Sequence, residues 1–198
     1  MKRTRHIQLP EDAAPLWVFG YGSLMWNPGF EHESCHVATV YGLHRRLCVS
    51  SIRYRGTPER PGLVLGLDRG GSCRGFAFRV APGVKHEVAD YLEEREMFSA
   101  VYKPIFVNVV LPDGRRQKAL TFRVRRDHPQ YTPPMCEIKT AERVARSRGK
   151  RGCNPEYVIN TLDSLRRIGF DDTNLARVAR HLESIGVRPP RQGGASGA

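Results

Sequence analysis

The first two thirds of the chain alternate short apolar runs with turn residues, a pattern typical of β-strands. The predicted strands span residues 16–22, 36–51, 63–68, 73–80, 102–111 and 118–124. The first of them, LWVFGYG, is rich in aromatic and β-branched side chains, which indicates a buried strand. A glycine pair (Gly70 and Gly71) predicts a turn between the third and fourth strands, and the sequence PDG predicts a turn between the last two.

Helical periodicity appears in three segments. In residues 82–97, four apolar side chains recur on one helical face: Val84, Val88, Tyr91 and Leu92. Residues 154–169 and 173–186 carry apolar stripes and closing glycines, with Asn154 as the predicted N-cap of the earlier helix.

Strands and helices do not alternate regularly along the chain, which disfavours a doubly wound sheet. The pattern predicts one α+β domain over residues 1–198, with a mixed or closed antiparallel-type sheet and helices packed outside it. Its core is expected at about residues 15–187, with a flexible N-terminal segment and a flexible C-terminal tail (RQGGASGA).

The composition is typical of a soluble globular protein, with 40% hydrophobic and 26% charged residues. Apolar runs such as residues 105–111 are too short to cross a membrane, and residues 1–15 lack the apolar segment of a secretory signal. The five cysteines are odd in number and show no CxxC spacing, which predicts reduced thiols. We therefore expect a cytoplasmic protein.

The formal net charge of +12 has three interpretations: nucleic-acid binding, an arginine-rich solubilising surface, or a field that attracts an anionic small substrate. Nucleic-acid binding is disfavoured because the chain carries no RNP, KH or helix-turn-helix signature. The basic residues Arg45, Arg46 and Arg55 are candidates for attracting an anion, although solvated surface is their default assignment. The sequence does not indicate an oligomeric state.

The sequence HESCH is a candidate metal site, because it places His32, Cys35 and His36 close together. A structural zinc site needs four ligands, and no second cluster in the chain has matching spacing. These residues are interpreted as ordinary strand and surface residues, and no metal is expected.

The stretch VFGYGSLMWNP (residues 18–28) ends a predicted strand in a glycine-rich bend. Gly20 and Gly22 permit positive φ angles and a close approach of a ligand to the main chain. Successive N–H groups in such a bend can bind a carboxylate or an oxyanion. Ser23 does not lie at the centre of a G-x-S-x-G elbow, which disfavours a nucleophilic serine.

One carboxylate lies at the border of the predicted apolar stripe. At about 100° per residue, Glu96 falls about 40° from Leu92, whereas Glu87, Glu93 and Glu94 point to solvent. Desolvation at such a border raises a carboxyl pKa and suits general acid–base catalysis. Because Arg95 lies within the stripe, a structural ion pair is an equally good interpretation.

Several motifs, in the same order, resemble the ChaC family of γ-glutamylcyclotransferases over about residues 16–170: WVFGYGSLMWNPGF, YGLHRRLCVSS, YLEEREM, ALTFRV, HPQY and NPEYVINTLDSLRRIG. The resemblance implies a small β-barrel with surrounding helices and cleavage of glutathione, without a cofactor, to 5-oxoproline and cysteinylglycine. It also implies the site residues: Tyr21, Gly22, Ser23 and Leu24 in the γ-glutamyl-binding loop, Glu96 as the catalytic carboxylate, and Tyr131 in the substrate pocket.

The chain departs from the family pattern in two places. MFSAVY follows Glu96 where many members have a glycine-glycine-tyrosine stretch, and the loop SRGKRGCN is unusually basic. Two alternatives therefore stay open. The chain acts on another donor, such as a γ-glutamylamine or a γ-glutamyl amino acid, or it is a noncatalytic protein that binds RNA or a protein partner, in which case Glu96 should face solvent.

Overall fold

Five strands close into a barrel in the spatial order β1-β3-β2-β4-β5 in the computed structural model of the chain, which describes residues 7–9 and 13–187. The strands are β1 (Leu16–Gly20), β2 (Ser34–Ser51), β3 (Gly62–Val80), β4 (Tyr102–Val110) and β5 (Arg116–Val124). β5 closes the barrel by pairing in parallel with β1 and β3, and the other pairings are antiparallel.

Helices surround the barrel: α1 (Lys85–Glu96), α2 (Glu137–Ala145), α3 (Asn154–Arg167) and α4 (Thr173–Ser184). A two-stranded hairpin, β6 (Arg148–Gly149) and β7 (Gly152–Cys153), precedes α3, and short 3-10 turns occur at Ser23–Met25 and Pro82–Val84. The predicted α+β class, with a small barrel and surrounding helices, is confirmed. In the described part of the chain, no helix has the length and apolar character needed to cross a bilayer.

The turn predicted at Gly70 and Gly71 is wrong, because β3 continues through both residues. Their φ angles are +100° and +65°, and Gly42 on the facing strand has a φ of +78°. The pairing of β2 with β3 shifts register beside these glycines, between Tyr41 and Leu43. Left-handed glycines thus let two long paired strands change direction together without ending.

The barrel is packed on two sides. One cluster joins its interior to the C-terminal helices and contains fully buried side chains such as Leu67, Leu162 and Leu182. A second cluster joins it to α1, which buries Leu92 of the predicted stripe. Ile7, in the segment predicted to be flexible, is buried in the second cluster. The tail predicted to be flexible, residues 191–198, lies outside the described residues, as do residues 1–6, 10–12 and 188–190.

The predicted N-cap role of Asn154 is wrong, because Cys153 is the N-cap of α3 and Asn154 is its first helical residue. The fully buried Asn154 side chain instead accepts a hydrogen bond from the Leu63 N–H at 2.6 Å and donates one to the Leu63 carbonyl at 2.8 Å. An amide presents a donor and an acceptor side by side, so it replaces a neighbouring strand at this edge of β3.

Candidate active site

A cavity of about 420 Å³ opens where the bend after β1, the end of α1 and the start of α3 meet. Its volume lies in the range of small-molecule sites. The walls include five of the six site residues that the family resemblance implies: Tyr21, Gly22, Ser23, Leu24 and Glu96. Residues from two distant segments of the chain are therefore brought together in one concave site.

The bend after β1 is a short 3-10 turn in which the Met25 N–H donates to the Gly22 carbonyl at 2.9 Å. Neither Gly20 nor Gly22 adopts the positive φ that a glycine permits, and Gly22 has φ −136° and ψ −128°. Lack of space explains both glycines. A Cβ at Gly20 would lie 2.9 Å from the Leu24 Cβ, and one at Gly22 would lie 3.2 Å from the Tyr157 hydroxyl oxygen.

Glu96 is the last residue of α1, and its side chain is 18% exposed on the cavity wall. Burial raises the pKa of this carboxyl above its ordinary value, and the positive charges of Arg95 and Arg151 partly offset the effect. A raised pKa makes the carboxylate a stronger base, which favours a role in general acid–base catalysis.

Arg95 forms the ion pair that the sequence left open, with its Nε 3.1 Å from Oε1 of Glu96. It also donates to the carbonyls of Asn27 (2.7 Å) and Pro28 (2.9 Å) and to the hydroxyl of Ser23 (3.1 Å). Arg95 therefore fixes the end of α1 to the bend after β1. The ion pair and a catalytic carboxylate are compatible, because the same contacts hold Glu96 against the cavity.

Three tyrosines form the buried inner wall of the cavity. The Tyr21 hydroxyl donates to the Phe122 carbonyl at 2.8 Å, and the Tyr102 hydroxyl donates to the Leu65 carbonyl at 2.7 Å. The Leu65 N–H donates to the Tyr157 hydroxyl at 3.1 Å. Burial raises the pKa of each phenol, so all three stay neutral. Sequence reasoning missed Tyr102 and Tyr157, since a tyrosine in an apolar strand or helix is indistinguishable from an ordinary core residue.

The structure does not bring Tyr131 to the cavity wall. Its hydroxyl donates to Oδ2 of Asp68 at 3.0 Å and accepts from Arg46 at 2.6 Å. Burial alone would raise the pKa of Asp68, but hydrogen bonds from Arg126 and Arg46 hold this pKa well below its usual range. The neighbouring Gln130 lines the cavity instead.

Two of the arginines considered as surface attractors are buried, so the default assignment to solvated surface is wrong. Arg45, 5% exposed, donates to the Tyr21 carbonyl at 2.6 Å, to the Arg74 carbonyl and to Asp172 at 3.1 Å. Arg55, 6% exposed, pairs with Glu156 at 2.8 Å. Arg45 therefore supports the bend from behind the cavity.

The residues of the HESCH sequence do not converge on a common point. The His32 ring packs edge-on against Phe78 with centroids 5.0 Å apart, and Nε2 of His36 lies 3.0 Å from the Ser34 hydroxyl. Cys35 is exposed. Across residues 7–9 and 13–187, no group of three or more His, Cys, Asp or Glu side chains is arranged to hold a metal ion.

The chain is similar in sequence to proteins of known activity. The family model described as ChaC-like protein matches residues 16–185. The glutathione-specific γ-glutamylcyclotransferase of Escherichia coli (strain K12) is 34% identical over 164 residues, which cover 83% of this chain and 71% of the relative. The human glutathione-specific γ-glutamylcyclotransferase 1 is 31% identical over 185 residues, which cover 90% of this chain and 82% of the human protein.

The fold is also that of a solved enzyme. The crystal structure of a γ-glutamyl cyclotransferase specific to glutathione from yeast superposes with a TM-score of 0.78. The superposition covers 86% of this chain and 96% of the yeast chain at 22% sequence identity, and so bears on the fold alone. Together with the family model, which spans most of the sequence, these matches show that the chain belongs to the ChaC family.

Proposed function

We propose that the protein is a γ-glutamylcyclotransferase that converts glutathione into 5-oxoproline and cysteinylglycine. The observation that carries the proposal is Glu96, a carboxyl with a raised pKa on the wall of a cavity that also contains the Tyr21–Leu24 bend. The relatives named for glutathione-specific γ-glutamylcyclotransferase activity support the choice of substrate. The noncatalytic alternative expected Glu96 to face solvent, whereas its side chain is 18% exposed and lines the cavity.

The reaction is intramolecular, so the protein mainly has to hold one conformation of the substrate. The free α-amine of the γ-glutamyl group attacks its own γ-carbonyl carbon, and a five-membered lactam closes. The bond from that carbon to the cysteine nitrogen then breaks, and the proton lost by the attacking amine is gained by the leaving amine. Fixing the reactive rotamer removes much of the entropic barrier to such a ring closure.

Glu96 is proposed to carry the proton between the two amines. An α-amine has a pKa of about 7.7–8.0, so deprotonating it near neutral pH costs little. Protonating the leaving amine as the C–N bond breaks is the harder step, because an amine anion is a poor leaving group. A carboxyl with a raised pKa accepts the first proton and donates it in the second step.

The bend after β1 is proposed to bind the negative charges of the substrate. The first N–H groups of a helical turn have no carbonyl partner within that turn. In this turn they belong to Ser23 and Leu24, which line the cavity. We propose that these N–H groups donate to the substrate α-carboxylate or to the oxyanion of the tetrahedral intermediate.

The cytoplasm is the proposed site of action, because the five cysteines are all free thiols and glutathione is abundant in reducing compartments.

Purified protein incubated with glutathione tests the proposed function. We expect 5-oxoproline and cysteinylglycine to appear in equal amounts, measured by liquid chromatography with mass spectrometry. Comparing kcat/KM for glutathione with that for a γ-glutamylamine and a γ-glutamyl amino acid tests the donor. If 5-oxoproline were released from those donors but not from glutathione, another donor would replace glutathione as the proposed substrate. If no donor released 5-oxoproline, the proposed activity would be rejected.

Gly22→Val is expected to raise KM for glutathione by at least about tenfold, with the fold retained. The Cβ alone would lie 3.2 Å from the Tyr157 hydroxyl, and the two γ-methyl groups must occupy space beside Leu65 or within the cavity. Steady-state kinetics and circular dichroism measure the two effects. Gly83→Val is the matched control, because a Cβ at Gly83 meets no atom within 4 Å. An unchanged KM in folded Gly22→Val would remove the bend from the binding site.

A further inference from the structure

The cavity wall includes three arginines, Arg55, Arg95 and Arg151. The first two are ion-paired within the protein, Arg55 with Glu156 and Arg95 with Glu96. Arg151 has no ion pair with any carboxylate in the part of the chain that the structure describes. The cavity therefore contains a cation whose charge is available to a ligand.

The backbone around Arg151 is held in place. Arg151 follows Lys150 in the turn between β6 and β7, within the unusually basic loop noted in the sequence. The two residues donate their N–H groups to the carbonyls of Arg53 and Tyr54, each at 2.9 Å. A Cβ at Gly149 would lie 2.5 Å from the Tyr54 carbonyl carbon, so a glycine is needed for this close approach. The hairpin is thus fixed against residues 53–54.

The side chain of Arg151 is also positioned. Its guanidinium carbon lies 4.3 Å from the centroid of the Tyr54 ring, and that ring packs edge-on against Phe98 at 5.1 Å. Stacking uses one face of the guanidinium and leaves the N–H groups at its edge free to donate. Those donors match the geometry of a carboxylate, which an arginine can bind through two parallel hydrogen bonds.

We propose that Arg151 binds the C-terminal carboxylate of the leaving dipeptide and thereby selects γ-glutamyl peptides that end in a free carboxylate. The inference rests on the proposed function, which places the γ-glutamyl end of the substrate between the Tyr21–Leu24 bend and Glu96. From there the cysteinylglycine part extends over at most about 7 Å. Arg151 is the cavity cation left to meet a negative charge at that end, as far as the described residues show.

The electrostatics agree with this placement. The positive charge of Arg151 acts on Glu96, where it lowers the pKa that burial raises. Glu96 and Arg151 also line the same cavity of about 420 Å³, so one small substrate can contact both residues. Donors without a carboxylate at that end, such as γ-glutamylamines, cannot make the contact.

The test compares glutathione with glutathione amidated at its glycine, which has nearly the same shape and no terminal charge. Wild-type protein is expected to release 5-oxoproline from glutathione with a KM about tenfold lower than from the amide, since one charge-assisted contact has about this effect. In Arg151→Met, KM for glutathione should rise about tenfold and the preference over the amide should vanish. Because the two substrates are compared within each variant, changes in the Glu96 pKa cancel.

Lys150→Met is the matched control. It removes the same charge from the neighbouring residue, which does not line the cavity, and should keep the preference for glutathione. Equal KM values of wild type for glutathione and its amide would overturn the role of Arg151, as would an undiminished preference in Arg151→Met.

A binding measurement separates this inference from the proposed function. Calorimetric titration of glutathione and of its amide into Glu96→Gln, with and without Arg151→Met, measures the carboxylate contact without turnover. The Glu96→Gln protein should bind glutathione about tenfold more tightly than the amide, and the double variant should bind both equally. If the wild-type protein released no 5-oxoproline but Glu96→Gln still preferred glutathione to its amide, the activity alone would be rejected. If Glu96→Gln bound glutathione and its amide equally, the Arg151 contact alone would be rejected.

Discussion

Glu96→Gln is expected to lower kcat for 5-oxoproline release by about 10²–10⁴-fold, with KM little changed. Glutamine keeps the shape of the side chain and can still accept a hydrogen bond from Arg95, whose Nε lies 3.1 Å from Oε1 of Glu96. It cannot take the proton from one amine and deliver it to the other. Single-turnover and steady-state kinetics with glutathione measure the loss.

Glu94→Gln serves as the control for Glu96→Gln, because it changes an exposed carboxylate of the same helix and should leave kcat unchanged. Wild-type kcat/KM should also fall as the pH drops through the pKa of Glu96, which burial places above the ordinary glutamate value. If Glu96 were only half of a structural ion pair, Glu96→Gln would melt at a lower temperature and keep its turnover. Near-normal kcat in the folded variant would therefore contradict the assignment.

Arg45→Ala is expected to lower the free energy of unfolding by about 3–5 kcal/mol, the usual cost of leaving a buried charge without its partner. The change removes the donor to the Tyr21 and Arg74 carbonyls and leaves Asp172, the N-cap of α4, without its ion pair. Chemical denaturation measures the loss. Because the Tyr21 carbonyl is part of the bend, KM for glutathione should rise in whatever protein remains folded.

Arg79→Ala is the matched control for Arg45→Ala. Arg79 pairs with Glu33 at the surface, where both side chains are about 40% exposed, and such pairs contribute about 0–1 kcal/mol. If Arg45→Ala cost no more than Arg79→Ala, the buried network would not support the bend.

The sequence predicted the parts of the site that depend on local patterns. The helical stripe of α1 placed Glu96 at its border, and the paired glycines marked the bend after β1. Both features depend on a few adjacent residues, so periodicity and glycine spacing were sufficient to find them. The sequence did not predict the lack of space for a Cβ at these glycines, because crowding by Leu24 and Tyr157 appears only in three dimensions.

The rest of the site depends on contacts between distant segments. Arg45 and Arg55 resemble surface arginines in sequence, yet each is buried by partners far along the chain, such as Asp172 and Glu156. Tyr131 was assigned to the pocket from a motif, whereas an ion-pair network around Asp68 holds its hydroxyl. Side-chain composition does not reveal which distant carbonyl or carboxylate a polar group will meet.

Side chains of α3, rather than another strand, bond to one edge of β3, and this has a consequence for synthesis of the protein. Leu63 and Leu65 bond through their backbones to Asn154 and Tyr157 of α3, which follow 91 and 92 residues later. At about 5–20 residues per second, a ribosome needs roughly 5–20 s to cover that distance. During that time the nascent barrel exposes an unpaired strand edge, the kind of surface that associates with other chains. The C-terminal helices therefore complete the proposed active site and end the period in which the growing chain is most prone to aggregate.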